Sequence, residues 1–167
     1  MPRSFDVTVE SPATVEQVHR AFGDEDYWLA RFAAFGTATT LDSLLVDADG
    51  AVTVSTTQDL RRDGLPRLVA RFYPRDLKIL SSETWKPIGG GRVRGEVGIA
   101  VVGAPGSGGG AGLLVPTGDG SQLNFTGTVE FNVPLVGGRI ESYLGGQFAE
   151  HIPAIQRFTT EWITEHA

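Results

Sequence analysis

Residues 122–133 read QLNFTGTVEFNV and residues 134–162 read PLVGGRIESYLGGQFAEHIPAIQRFTTEW, and the two stretches keep different periods. In the first, Leu123, Phe125, Gly127, Val129, Phe131 and Val133 alternate with Gln122, Asn124, Thr126, Thr128, Glu130 and Asn132, the period of two that gives a strand one dry face and one wet face. In the second, Ile140, Leu144, Phe148, Ile152, Ile155, Phe158 and Trp162 recur every three to four residues, the stripe of a long amphipathic helix spanning 134–167. Pro134 stops the strand, and Pro153 removes one backbone bond inside the helix and predicts a kink there. A bulky dry strand face followed by a long apolar helical stripe predicts that the two bury each other.

Working outward from that pair, Phe5, Val7 and Val9 alternate with polar neighbours over 4–10, a first half-buried strand ended by Ser11-Pro12. Thr14-Val15-Glu16-Gln17 has the spacing of a capping box, so a short helix follows with Val15, Val18 and Phe22 on one face. After Gly23-Asp24, a second short helix carries Trp28, Phe32 and Phe35 as far as Gly36. Then come β-rich runs joined by turn residues: 37–47 and 51–60 around Ala48-Asp49-Gly50, then 67–73, 78–86 and 92–102. The expected architecture is a single α+β domain over 1–167, with a curved antiparallel sheet of about seven strands around the long C-terminal helix and two short helices after the first strand.

The order of these elements is similar to the helix-grip fold of the START-like, birch-pollen-allergen-like superfamily (SRPBCC). More locally, Ser11 to Val18 with Asp26-Tyr27-Trp28, and Val133-Pro134-Leu135-Val136-Gly137-Gly138-Arg139-Ile140-Glu141, resemble an uncharacterised actinobacterial branch of it. In the second motif the glycines permit close backbone approach, and Glu141 falls near the positive end of the helix dipole. The resemblance implies a cavity between sheet and helix that holds lipids, polyketides or similar apolar molecules. It implies no agreed catalytic residues.

Composition narrows the function classes. The chain contains no cysteine, so neither disulfides nor thiolate chemistry is available. Its formal net charge of −6 disfavours a nucleic-acid partner, which must be met by clustered Lys and Arg. The one basic stretch, Arg61 to Lys78, is interspersed with apolar residues and reads as a solvated sheet face. No signal peptide or transmembrane segment is visible, so a cytoplasmic location is the expectation. The three histidines, His19, His151 and His166, lack metal-ligand spacing, and no metal or cofactor is expected. Asp47-x-Asp49-Gly50 is a turn rather than a calcium loop, since the remaining oxygen ligands are missing.

The glycine-rich run 103–112 superficially fits a dinucleotide fingerprint but leads into Leu113-Leu114-Val115, a short strand, instead of a helix. A flexible hairpin loop is expected there. His151 lies within the apolar stripe of the long helix, and it is expected to face inward and accept or donate a hydrogen bond, either as a core histidine or as a polar anchor in a pocket. The residues expected to line the cavity are Trp28, Phe32, Phe72, Trp85, Val97, Ile99, Phe125, Phe131, Leu144, Phe148, His151, Ile152 and Ile155. Glu83 and Arg71 are further candidates whose strand faces the alternation leaves undecided, with the surface favoured for both. Three functions compete: binding or transport of an apolar small molecule, an aromatase/cyclase-like reaction using His151 with Glu83 or Tyr143, and a protein-interaction module. A large dry cavity favours the first, convergent polar groups the second, and a filled interior the third.

Overall fold

The computed structural model describes residues 2–35, 38–60, 71, 76–133 and 135–167. Its elements are β1 (Arg3–Ser11), α1 (Val15–Phe22), α2 (Glu25–Ala34), β2 (Thr39–Val46), β3 (Val52–Leu60), β4 (Leu77–Gly89), β5 (Arg92–Val102), β6 (Gly106–Pro116), β7 (Ser121–Phe131) and α3 (Gly137–Glu165). The seven strands form one antiparallel sheet in the order β1-β7-β6-β5-β4-β3-β2, so the chain meanders from β2 to β7 and β1 closes on β7. This is the α+β helix-grip arrangement, with α3 packed against β1 and β7.

Local chemistry accounts for the helix starts. Thr14 Oγ1 accepts the Gln17 N–H at 3.1 Å while Gln17 Oε1 accepts the Thr14 N–H at 2.9 Å, completing the capping box of α1. Asp24 caps α2 by accepting the Asp26 N–H at 2.9 Å. At the base of α3, Glu141 is 1% exposed and its Oε2 accepts the Phe131 N–H at 2.9 Å. A buried carboxylate near the start of α3 thus ties that helix to the end of β7. The helix then continues through Pro153.

The expectation for the glycine-rich run is corrected. Residues 106–112 form most of β6, a full strand paired to β7 along its length and to β5 over Ser107–Leu114. Glycine is needed there because large rings from the neighbouring strand β7 lie over the backbone. A Cβ at Gly110 would sit 2.4 Å from Phe125 Cζ, and one at Gly106 would sit 2.7 Å from the Phe131 ring. The expected strand 67–73 falls mostly outside the described residues.

Among the described residues the buried apolar side chains form two separate clusters. One joins Val15, Val18 and Phe22 of α1, Tyr27 and Trp28 of α2, and Val54, Trp85 and Leu114 of the sheet. The other, at the opposite end of the sheet, joins Leu77, Phe131 and Ile140. Between these packed ends the helices and sheet do not fill the space.

Candidate ligand cavity

Between the two clusters lies a cavity of about 250 Å³, continued by an adjoining pocket of about 80 Å³. The sheet supplies one wall through inward-facing residues of each central strand: Thr56 and Gln58 on β3, Ile79, Ser81, Glu83 and Trp85 on β4, Val97 and Ile99 on β5, and Gly108 on β6. Gly108 presents no side chain where Ile99 and Val129 flank it, so the floor is low there. The alternation Val52, Val54, Thr56, Gln58 along one face of β3 carries the wall from packed core to a more polar surface, with Thr56 paired to Ser81 across the strands.

The opposite wall comes from the helices. Trp28, Arg31, Phe32 and Phe35 share one face of α2 and its C-cap, while Phe148, His151, Ile152, Ile155 and Gln156 share one face of α3. Phe5 of β1 stacks on Phe125 (6.1 Å between centroids) and on Phe148 (6.3 Å), closing the side under α3. Phe148 borders both the cavity and the smaller pocket, with Ile79, Ile99, Gly108 and Val129.

The expected lining residues distribute as follows. Trp28, Phe32, Trp85, Val97, Ile99, Phe125, Phe148, His151, Ile152 and Ile155 all border the main cavity. Phe131 and Leu144 border only the smaller pocket, where Phe131 is also packed core at 4% exposed. Phe72 lies outside the described residues. Phe22, Arg31, Phe35, Gln58 and Gln156 also line the cavity, although the sequence reading does not place them among its lining residues.

Three expectations about polar residues change. Glu83 faces inward, and its Oε1 accepts the Trp85 indole N–H at 3.0 Å; the shared face of β4 follows Trp85 into the core. Arg71, by contrast, is exposed as expected, so it makes no buried pair with Glu83. Tyr143 is 48% exposed and does not border the cavity, which removes it as an acid–base partner of His151. His151 itself sits at the rim: the residue is exposed, yet its ring packs edge-on against Phe35 with centroids 4.9 Å apart. Among the described residues the ring has no hydrogen-bond partner, contrary to expectation. Partial burial, and secondarily the Arg31 charge, hold its pKa below the ordinary histidine value, so it is neutral near pH 7.

Among the described residues Arg31 is the cation of this wall. Its guanidinium carbon lies 4.6 Å from the centroid of the Trp28 ring, and Trp28 is 1% exposed. Behind it, the Tyr27 hydroxyl lies 2.6 Å from Thr159 Oγ1 and is fully buried. Burial raises the Tyr27 pKa, with the Arg31 charge and hydrogen bonding to Thr159 and Arg31 opposing that shift, so the phenol stays protonated. No group of three or more metal-ligating side chains occurs among the described residues. No helix among them is long and apolar enough to cross a membrane.

Residues 6–163 match the family described as "Protein of unknown function (DUF2505)". The chain belongs to this family. An uncharacterized protein of Mycobacterium tuberculosis strain H37Rv is 36% identical over 173 aligned residues, covering 99% of each chain, and one of Mycobacterium bovis matches equally. Among solved structures, a protein of Thermus thermophilus superposes with a TM-score of 0.58 at 17% identity, covering 100% of this chain and 99% of that one. Ara h 8.0201 gives 0.57 at 10% identity, and a START superfamily protein of Mycobacterium smegmatis gives 0.55 at 12%; each covers 99% of both chains. These likenesses establish for the DUF2505 chain the START-like, Bet v 1-like fold.

Proposed function

We propose that this DUF2505 protein binds, and by binding carries, a small hydrophobic molecule held between the sheet and α3. The observation that supports this reading is the cavity itself: about 250 Å³ of space, lined chiefly by aromatic and aliphatic side chains, in an interior otherwise packed at both ends. Protein interiors ordinarily leave few voids larger than a water molecule. An apolar cavity of about 150 Å³ is already enough to hold benzene. The space here accommodates a somewhat larger body, and the adjoining pocket of about 80 Å³ offers room for its far end past Phe148.

The test is saturable binding of a neutral apolar fluorophore, N-phenyl-1-naphthylamine, to the wild type and to Val97→Phe. Val97 faces the cavity from β5, and the larger ring occupies the space a ligand would use. Binding by the wild type, weakened about tenfold or more in a variant that still unfolds cooperatively, is expected. Equal binding by both proteins would place the fluorophore elsewhere and overturn the reading.

A further inference from the structure

If the cavity takes a small apolar occupant, as proposed above, one wall constrains what that occupant carries at its polar end. Arg31 reaches inward from α2 and stacks on the buried Trp28 ring. Stacking on an indole stabilises a guanidinium without neutralising it, and among the described residues the fork meets the Tyr27 hydroxyl and no carboxylate. The ion pairs Lys78–Asp59, Lys86–Asp49 and Arg94–Glu96 all join exposed side chains, and among the described residues no carboxylate is paired with Arg31. Gln156, reaching the same cavity from α3, is 3% exposed, and its buried Nε2 has no hydrogen-bond partner among the described residues. A buried donor with nothing to accept from it is costly, and Gln156 presents one to the cavity that Arg31 also lines.

We propose that Arg31 and Gln156 form the headgroup site for a carboxylate, so that the molecule this cavity takes is an amphipathic carboxylic acid with its hydrocarbon body against Phe125 and Phe148. A planar carboxylate matches the guanidinium fork with two parallel hydrogen bonds, and the Gln156 amide supplies a further donor. Among the described residues Glu83 is the carboxylate that lines the same cavity, and it opposes an anion. Its Oε1 already accepts the Trp85 indole N–H at 3.0 Å, and its presence defines the rival occupant, an apolar amine.

Calorimetric titration with decanoate, decanol and decylamine, below their micelle-forming concentrations, separates these cases because the three share one hydrocarbon body. Decanoate is expected to bind about tenfold or more tightly than decanol, and decylamine more weakly than either. Arg31→Gln is expected to remove the preference for decanoate and leave decanol within about twofold of wild type, whereas Arg31→Lys, a point charge without the fork, retains part of it. Gln156→Met, which keeps the side-chain volume, is expected to lose a few-fold for decanoate alone. The unfolding midpoint of each variant shows that the fold is kept. Equal affinity for decanoate and decanol, or tightest binding of decylamine, would overturn the headgroup assignment while leaving an apolar carrier intact. Failure of all three to bind would overturn the carrier reading and this assignment with it.

Discussion

Truncating Phe131 and Phe148 separately should have unequal effects on stability, because the two rings differ in what surrounds them. Phe131 is 4% exposed, contacts Leu77 and Ile140 in a packed cluster, and lies directly over the Gly106 backbone. Burying a phenylalanine removes roughly 150–250 Å² from water. At about 25 cal/mol per Å² that is worth roughly 4–6 kcal/mol as an upper estimate. Phe131→Ala is therefore expected to cost about 3–5 kcal/mol, since the rigid strand β6 beneath it cannot collapse into the space. Phe148 is only half-buried, and its ring already faces empty volume on both sides, towards the cavity and towards the smaller pocket. With fewer atoms around the ring, less dispersion attraction is forfeited, and Phe148→Ala is expected to cost about 1–2 kcal/mol. Urea unfolding followed by tryptophan fluorescence measures both, with unchanged m-values showing that the folded state stays compact. Phe148→Ala should also join the two spaces and tighten binding of a longer apolar probe. Equal losses of stability would refute the claim that Phe148 lines open volume. A loss of a few tenths for Phe131→Ala would refute its place in the core.

The remaining predictions concern strand, base and rim. Gly110→Val should destabilise by more than about 3 kcal/mol, because the added carbon meets both the Phe125 ring and, at 2.7 Å, the Thr126 carbonyl oxygen; thermal unfolding reads this, and a change of under about 1 kcal/mol would show that β6 can yield. Glu141→Ala should cost about 2–3 kcal/mol by removing the buried carboxylate that accepts the Phe131 N–H, with Glu141→Gln restoring part of the loss in the same denaturant series. His151 should titrate below the ordinary histidine value of 6.5 in an NMR pH series, and Arg31→Gln should move it upward; a midpoint at or above 6.5 would place the ring in open solvent. Because that folded-state pKa is depressed, the unfolded chain binds the proton first, so stability is lost as pH falls below 6.5, and His151→Phe should flatten that acid limb.

The parts of the fold that are legible in the sequence are those where side chains write a pattern. Alternation in Leu123 to Phe131 and Phe5 to Val9, the Thr14–Gln17 capping box, and the stripe from Ile140 to Trp162 each have one structural solution, and each yields its element within a few residues. The strand β6 escapes because glycine has no side chain to alternate. Its requirement is visible only in the rings that cover it, Phe125 and Phe131, which lie on the neighbouring strand β7. Glu83 is misplaced by its chemistry, since a carboxylate on a strand is ordinarily outward, and the indole N–H that holds it inward becomes apparent only once Trp85 is known to be core. Arg31 escapes for a related reason. It shares the spacing of Trp28, Phe32 and Phe35, but that face of a short helix reads as apolar until the helix is seen to border a cavity. Gln156 likewise sits one position from Ile155, and only the orientation of α3 shows that it is buried. Side chains that line empty space obey weaker patterning than side chains that pack, and the polar half of the site is for that reason the least legible.

The central claim, that the space between sheet and α3 is a binding site for an apolar molecule, is tested most directly by native mass spectrometry of the protein isolated from the organism that makes it. The predicted spectrum contains, beside the bare chain, a species heavier by the mass of one small organic molecule, which organic solvent extracts and which Val97→Phe, prepared in the same way, lacks. A bare chain alone, or an adduct retained equally by Val97→Phe, would contradict the account.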